Sequence, residues 1–320
     1  VSPQNSQVTV GETGEFGLIR AVTKGRKQPA PTLLGPGDDA AVVATPDGRV
    51  VASTDVLVQG VHFRFDWSSP GYVGRKAVAV NLADIAAMGA TPTSVLIGLA
   101  CPPDTPTAVI TELVDGMWVE ASAVGVGIVG GDMVRADQLV ISVTALGDLG
   151  GRAMITRSGA RPGDVLAVRG RLGWAAAGLA VLGRGFRSPV GVVNAQRCPE
   201  PPYDAGPQAA EAGATSMIDI SDGLLADLGH IAAASEVGID VQTERLEIAT
   251  RLLEVGSALG ADPLTWVLTG GEDHALAATF APGPPLPEGW RRIGSVTMPG
   301  TGVTVDGKPY EAPPGWEHWR

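Results

Sequence analysis

The stretch Ala77-Val78-Ala79-Val80-Asn81-Leu82-Ala83-Asp84-Ile85-Ala86-Ala87-Met88-Gly89-Ala90 is apolar on every side when wound as a helix, the pattern of a helix buried all round. Only Asn81 and Asp84 interrupt it, and a spacing of three sets both on one side. An ionised carboxylate in such a place is costly unless it is paired or coordinates a metal. Arg75 and Lys76 lie two turns or more back and can reach water instead. Two readings of Asp84 are open at this point, a brace for a neighbouring loop or a ligand to a cation. The other acids of the chain bear on the choice.

Around this helix the composition is that of a folded protein. Of 320 residues, 44% are hydrophobic and 18% charged, and Gly 44 with Pro 25 make up about a fifth of the chain, which implies many tight turns. The length is sufficient for two domains. No apolar run reaches the ~18 residues of a membrane span, and the polar N-terminus has no signal-peptide core. Cys101 and Cys198 are far apart and show no metal-ligand spacing, so a cytoplasmic enzyme is expected rather than a secreted disulfide scaffold. A net charge of -11 and only four lysines exclude a broad nucleic-acid surface.

Residues 1–10 read as a flexible tail, and the first helix begins near Gly14. Residues 40–44 and 50–53 are short β-like runs joined by Pro46-Asp47-Gly48, a hairpin signal. The buried helix lies within 71–88 and a strand within 94–99. Asp104 offers an N-cap to a helix carrying Val109, Leu113, Met117 and Ala121 at helical spacing. Strands are expected at 124–129, 139–146, 165–168, 217–220 and 266–269. Further helices are expected at 173–182, 222–234 and 249–259, a Pro-rich loop at 198–207, and a hairpin over 303–310. The Gly- and Arg-rich segment 147–163 is the best domain junction. The alternation lacks a strict βαβ rhythm, so the fold class is α/β (α+β) in two domains, 11–148 and 149–320. A short echo, Ile128-Val129-Gly130-Gly131-Asp132 against Leu268-Thr269-Gly270-Gly271-Glu272, hints that the halves are related.

The acids recur in one setting, after a short apolar run and beside Gly, Ser or Thr. They are Gly37-Asp38-Asp39, Ser53-Thr54-Asp55, Gly130-Gly131-Asp132, Asp219-Ile220-Ser221-Asp222-Gly223 and Gly270-Gly271-Glu272-Asp273. Strand ends followed by glycine let a backbone come close to a ligand. Carboxylates among hydroxyls and carbonyls suit Mg²⁺, a hard cation usually shared with substrate phosphates, whereas zinc would need clustered Cys and His. Singly each motif has a structural explanation: Asp38-Asp39 as a turn, Ser221 or Asp222 as a helix cap. Jointly, like charges converging without a cation would raise pKa values and destabilise the fold, which favours a multi-metal phosphate site. No G-x-x-x-x-G-K-[ST] loop and no protein-kinase catalytic set is present.

With these motifs in this order the chain resembles the thiamine-monophosphate kinase family, within the aminoimidazole-ribonucleotide-synthetase-like ATP-binding superfamily. The resemblance runs from Gly14-Glu15-Phe16, through Gly35-Pro36-Gly37-Asp38-Asp39-Ala40, residues 53–63, residues 81–90, Gly130-Gly131-Asp132 and Thr156-Arg157-Ser158-Gly159-Ala160. It ends with residues 218–224 and Gly270-Gly271-Glu272-Asp273. It implies transfer of the γ-phosphoryl group of ATP to thiamine monophosphate, several Mg²⁺ ions, and a homodimer joined through the mixed sheet of the N-terminal domain, with a C-terminal α/β domain completing the site.

Carried over motif by motif, the resemblance implies metal-binding positions at Asp39, Ser53, Thr54, Asp55, Asp84, Asp132, Asp219 and Asp222. Asp84, Asp132 and Asp219 act in catalysis through metal. Gly131, Asp132, Arg157 and Ser221 hold the nucleotide, and His62, Glu272 and Trp316 face the thiamine substrate. Asn81 is read as support for this geometry. One departure stands out: the family often has Tyr after Gly-Gly-Glu-Asp, where this chain has His274. Selenophosphate synthetases, the hydrogenase-maturation dehydratase and purine-biosynthesis synthetases are the neighbouring alternatives. The first two carry an N-terminal reactive Cys or a cysteine tail that this chain does not have.

Overall fold

The computed structural model describes residues 8–34, 42–300 and 302–316. The chain divides into two compact units. Val1–Leu82 with Pro92–Asp148 form one, and Ala83–Thr91 with Leu149–Arg320 form the other, so the division passes through the helix with which the sequence reading began.

The first unit carries helices α1 (Val10–Thr13) and α2 (Glu15–Thr23), then strands β1 (Thr32–Leu34), β2 (Val42–Val43) and β3 (Val51–Val58). Helix α3 (Pro70–Ala87), β4 (Thr91–Cys101), α4 (Thr107–Ala123), β5 (Gly127–Arg135) and β6 (Val140–Asp148) follow. The larger sheet has the order β3-β6-β4-β5, antiparallel between β3 and β6 and parallel between β4 and β5. Along β6, Ile141, Val143 and Ala145 are buried while the residues between them are partly open, the period-two pattern of a sheet with one covered face. Among the described residues the expected hairpin over 40–53 does not form. β2 pairs with β1, and β3 pairs with β6, because β6 offers an eight-residue register against the short run at Val42–Val43. Thr9 caps α1 in a reciprocal capping box with Glu12, and Asp39 lies outside the described residues.

Helix α3 is closed on every side from Lys76 to Ala83. Its backbone meets α4 directly: a Cβ added to Gly74 would lie 1.8 Å from the Leu113 carbonyl oxygen, and one added to Gly116 would lie 2.0 Å from that of Gly71. Two glycines thus set the helix spacing. Asn81, fully buried, accepts from the Asp55 N–H at 2.9 Å and donates to the Ala77 carbonyl at 2.9 Å, so its amide is satisfied without water. Burial on all sides does not extend to Asp84, which is partly open together with Met88 one turn later. Lys76 does not reach water as expected. It is buried and its Nζ donates to the His62 carbonyl at 3.4 Å.

The second unit contains β7 (Val165–Arg169), α5 (Trp174–Gly183), α6 (Val190–Arg197), α7 (Ala205–Glu211), β8 (Ala214–Ile220) and α8 (Leu224–Ser235). It continues with β9 (Gly238–Val241), α9 (Thr250–Leu259), α10 (Pro263–Thr269), β10 (Ala275–Phe280), β11 (Arg291–Thr297), β12 (Val303–Val305) and β13 (Lys308–Pro309). Its sheet has the order β13-β12-β9-β11-β7-β10-β8 and is mixed, with β12 and β9 parallel. β10 is buried along its whole length, which its small apolar residues permit. An apolar cluster packs Ala205, Ala209, Met217 and Leu276 with Phe280 and Trp290, whose rings meet edge to face at 5.4 Å.

Residues 266–269 are helical rather than a strand. Asp262 caps the Leu264 N–H at 2.9 Å and Pro263 occupies the first turn, and this start signal outweighs the β-preference of Trp266 and Val267. The echo between the halves is therefore not structural, since one copy lies in β5 and the other at the end of α10. The Pro-rich segment 198–207 also runs into a helix, α7.

Candidate active site

In the second unit β8 and β10 run antiparallel, with Ile220 opposite Ala275 and Asp219 opposite Leu276. The register brings the end of β8 and the start of β10 to one place. The ladder continues past the strands: the His274 N–H donates to the Ile220 carbonyl at 2.9 Å and the Glu272 N–H to that of Ser221 at 2.7 Å. Only glycine fits here. A Cβ on Gly271 would lie 2.4 Å from the Ser221 carbonyl, and one on Gly223, at φ 129°, 2.6 Å from that of Thr269. The chain near its end crosses the same loop, with the Trp316 N–H donating to the Asp222 carbonyl at 2.9 Å. Asp219, Ser221, Asp222, Glu272 and Trp316 are thus brought together by main-chain bonds. Glu272 and His274 both have positive φ, 71° and 50°, strain that persists only where the surroundings over-determine it.

The electrostatics of this loop pair follow from burial. Asp219 and His274 are 4% and 5% exposed, with Nδ1 of His274 3.0 Å from Oδ2 of Asp219. Asp227, in the first turn of α8, accepts from the Asp222 and Gly223 N–H groups, each at 3.0 Å. Burial and then the charge of Asp219, with a contribution from Asp222, push its pKa up to about 7 against the pull of those donors. Asp273 has a different task. It accepts from the Gly173 N–H at 2.5 Å and the Ala175 N–H at 2.8 Å, capping α5 from outside, and burial raises its pKa to about 7. Asp227 does not stand out in the sequence as more than one acid among many, and the sequence motif that singles out Asp273 carries no sign that it caps a helix.

Arg157 is exposed on a loop held to α8 and β8. Ser235 Oγ donates to the Arg157 carbonyl at 2.9 Å and accepts from the Gly159 and Ala160 N–H groups, and the Met217 N–H donates to the Thr156 carbonyl at 3.1 Å. Asp84 belongs to this unit by its place in the chain.

In the first unit strand alternation places Ser53 and Asp55 on one face of β3 and Thr54 on the other, where its hydroxyl donates to the Val143 carbonyl at 3.0 Å. Asn81 pins the Asp55 main chain. Asp132 is exposed on β5 and accepts from the Met133 N–H, and Gly131 sits where a Cβ would lie 2.1 Å from the Ile97 carbonyl. His62 closes a tight turn. Its N–H donates to the Val58 carbonyl at 2.9 Å and its Nδ1 accepts from the Val58 N–H at 3.0 Å, which leaves the ring's proton on Nε2. Among the described residues no group of three or more His, Cys, Asp or Glu side chains is arranged to hold a metal by itself.

Residues 37–149 match the family model described as AIR synthase related protein, N-terminal domain. The two mixed sheets and these loops accordingly define a two-domain α/β protein of the AIR synthase-related superfamily. The thiamine-monophosphate kinase of Mycobacterium tuberculosis is 53% identical over 310 residues, 97% of this chain and 92% of that one. The crystal structure of thiamine monophosphate kinase from Aquifex aeolicus covers 95% of this chain and 100% of its own, at 30% identity and a TM-score of 0.78. AaThiL complexed with AMPPCP and TMP covers 98% and 99%, at 33% identity and a TM-score of 0.80. The chain belongs to the thiamine-monophosphate kinase family.

Proposed function

We propose that this chain transfers the γ-phosphoryl group of ATP to thiamine monophosphate in one in-line step, without a phosphorylated protein. The overall reaction, ATP-dependent phosphorylation of thiamine monophosphate to thiamine diphosphate, is that of the family to which it belongs. The acceptor is a phosphate monoester whose second pKa is near ~6, so at neutral pH its attacking oxygen is already ionised and needs no strong base. The residues brought together agree with that economy: the one buried histidine among them, His274, is engaged with Asp219.

The barrier is electrostatic, a dianion approaching the terminal phosphate of ATP. Magnesium, when bound, offsets that repulsion and holds the reacting oxygens in line. The donors fit it. They are oxygen ligands, and beside them burial and then the charge of Asp219 lift the pKa of Asp227 to about 7, a shift whose charge repulsion a divalent cation would relieve. Mg²⁺ held by such carboxylates would share its coordination with water and substrate phosphate oxygens, its usual habit. Asp39, Ser53, Asp55, Asp84, Asp132, Asp219 and Asp222 are the residues that would hold it. The Thr54 hydroxyl is committed to the sheet, so its main chain is what remains to contribute. Gly131, Asp132, Arg157 and Ser221 hold the nucleotide, with Arg157 as the fixed cation on its phosphates. His62, Glu272 and Trp316 face the thiamine compound. The active form is a homodimer joined through the β3-β6-β4-β5 sheet.

The observation that carries this reading is the convergence of the 219–223 loop, the 270–274 loop and Trp316 on one point. The experiment is transfer from ATP made chiral at the γ-phosphorus. Inversion is expected; retention, the mark of two successive displacements, would overturn the single step.

A further inference from the structure

We propose that His274 is a positioning residue that fixes the Asp219 carboxylate in the orientation from which it takes the cation. The inference rests on the reading of Asp219 as a metal-binding position and adds a residue that the family's motifs do not assign.

The geometry is specific. Nδ1 of His274 lies 3.0 Å from one oxygen of Asp219, and both side chains are buried. An ionised carboxylate only accepts, so the proton between them belongs to Nδ1. His62 is wired the opposite way, its Nδ1 accepting from the Val58 N–H, so the chain holds two histidines in different protonation patterns by local hydrogen bonds alone. A carboxylate on a single bond is free to turn. With Oδ2 held by the ring, the direction of Oδ1 is set, and the carboxylate meets a cation without first losing rotational freedom.

The backbone supports the same reading. His274 sits at φ 50°, an uncommon place for a residue other than glycine, and its N–H is tied to Ile220, the neighbour of Asp219 in sequence. The β8–β10 ladder therefore holds the ring donor and the carboxylate in one frame, and the strain is borne where the donor must be aimed.

The test measures Mn²⁺ binding to the whole chain by electron paramagnetic resonance, without nucleotide, in His274→Gly, His274→Asn and Asp219→Asn. Glycine removes the ring and relieves the positive φ. Asparagine tolerates that φ and stands an amide N–H where Nδ1 stood. Loss of an outer partner of a metal ligand typically costs about 10–100-fold in affinity, so His274→Gly should bind Mn²⁺ that much more weakly and His274→Asn should recover most of the loss. A ring that only fills space would lower the melting temperature and leave Mn²⁺ affinity alone, and that result overturns the proposal. Equal losses in the Gly and Asn variants overturn it as well. Unchanged binding in Asp219→Asn removes the metal reading of Asp219 itself, whereas loss there with normal binding in His274→Gly removes only the role of His274. Should the Gly variant not fold, the ¹⁵N-histidine spectrum of the unmodified chain decides. The signal absent from the Asn variant must show a protonated Nδ1, and an unprotonated Nδ1 there ends the proposal.

Discussion

Asp273 and Asp84 are two acids in apolar surroundings with different fates, and each makes a prediction. Asp273 caps α5 and has a pKa of about 7 in the folded chain against an ordinary 3.8, because burial outweighs the two N–H donors. Between those values the folded state holds a proton that the unfolded chain has released. Its contribution to stability is therefore complete below pH 3.8 and is lost as pH rises through about 7. Asp273→Asn abolishes that slope. Urea unfolding at pH 5 and pH 8 should show the unmodified chain losing ground to the variant by up to about 1.4 kcal/mol per pH unit below 7, and a constant difference between the two proteins would show that Asp273 stays ionised throughout. Asp84 is partly open at the last turn of α3, so its removal tests function rather than fold. Asp84→Asn should lower kcat by about 100-fold or more while stability stays within about 0.5 kcal/mol. Full activity would make it a structural brace.

At the scale of elements, the approach of α3 to α4 decides the sign of a substitution that propensity alone would misjudge. Gly→Ala in a helix interior gains up to about 1 kcal/mol from propensity. At Gly74 the new Cβ would lie 1.8 Å from the Leu113 carbonyl oxygen, a rigid backbone atom, so the helices must part. Gly74→Ala should destabilise by about 1–3 kcal/mol or more in urea unfolding, whereas Gly183→Ala in α5, with nothing within 4 Å, should be neutral or stabilising. Similar effects at the two positions would refute the close contact. This contact also marks what a sequence can express. Helix α3 was legible because its apolar run is long, and β6 and α8 because their periodicity is local. The spacing of α3 from α4 depends on residues some forty positions apart, and no local pattern carries it. The strand expected at 266–269 failed because a local cap outranked β-preference, and the hairpin over 40–53 failed because strand partners are chosen among distant segments. The site divides likewise. The motifs around Asp219, Asp222 and Glu272 announce themselves by their glycines. The pairing of His274 with Asp219, and Asp273 acting as a cap, arise only when β8 and β10 come into register.

At the scale of the whole molecule, the first unit leaves one sheet face that asks for a partner. Along β3 the residues alternate, and those between Ser53, Asp55 and Leu57 are open, with Val56 48% exposed. In register beside them on β6 stand Leu146, Thr144 and Ser142, all partly open, and Leu96 and Val134 on β4 and β5 are 37% and 54% exposed. Apolar and hydroxyl side chains make up most of this surface, and the Thr54 and Thr144 hydroxyls bond to each other at 3.1 Å, so the exposed carboxylate of Asp132, paired in register with Gly98, is the group there that most resists leaving water. A four-stranded face of this kind can supply the roughly 800 Å² per partner of a specific interface, and an acidic chain of net charge -11 needs such a patch of low charge density to meet its own copy. Sedimentation at micromolar concentration should give twice the chain mass. Val56→Lys with Leu96→Lys, which would bury like charges against their symmetry mates, should give the single mass with the circular dichroism of the parent. The paired lysines leave every proposed ligand in place, so thiamine monophosphate turnover per chain then reports whether a lone chain is a complete enzyme. An unmodified chain that sediments as a monomer would leave this face without a partner copy, and a double variant that still pairs would place the interface elsewhere.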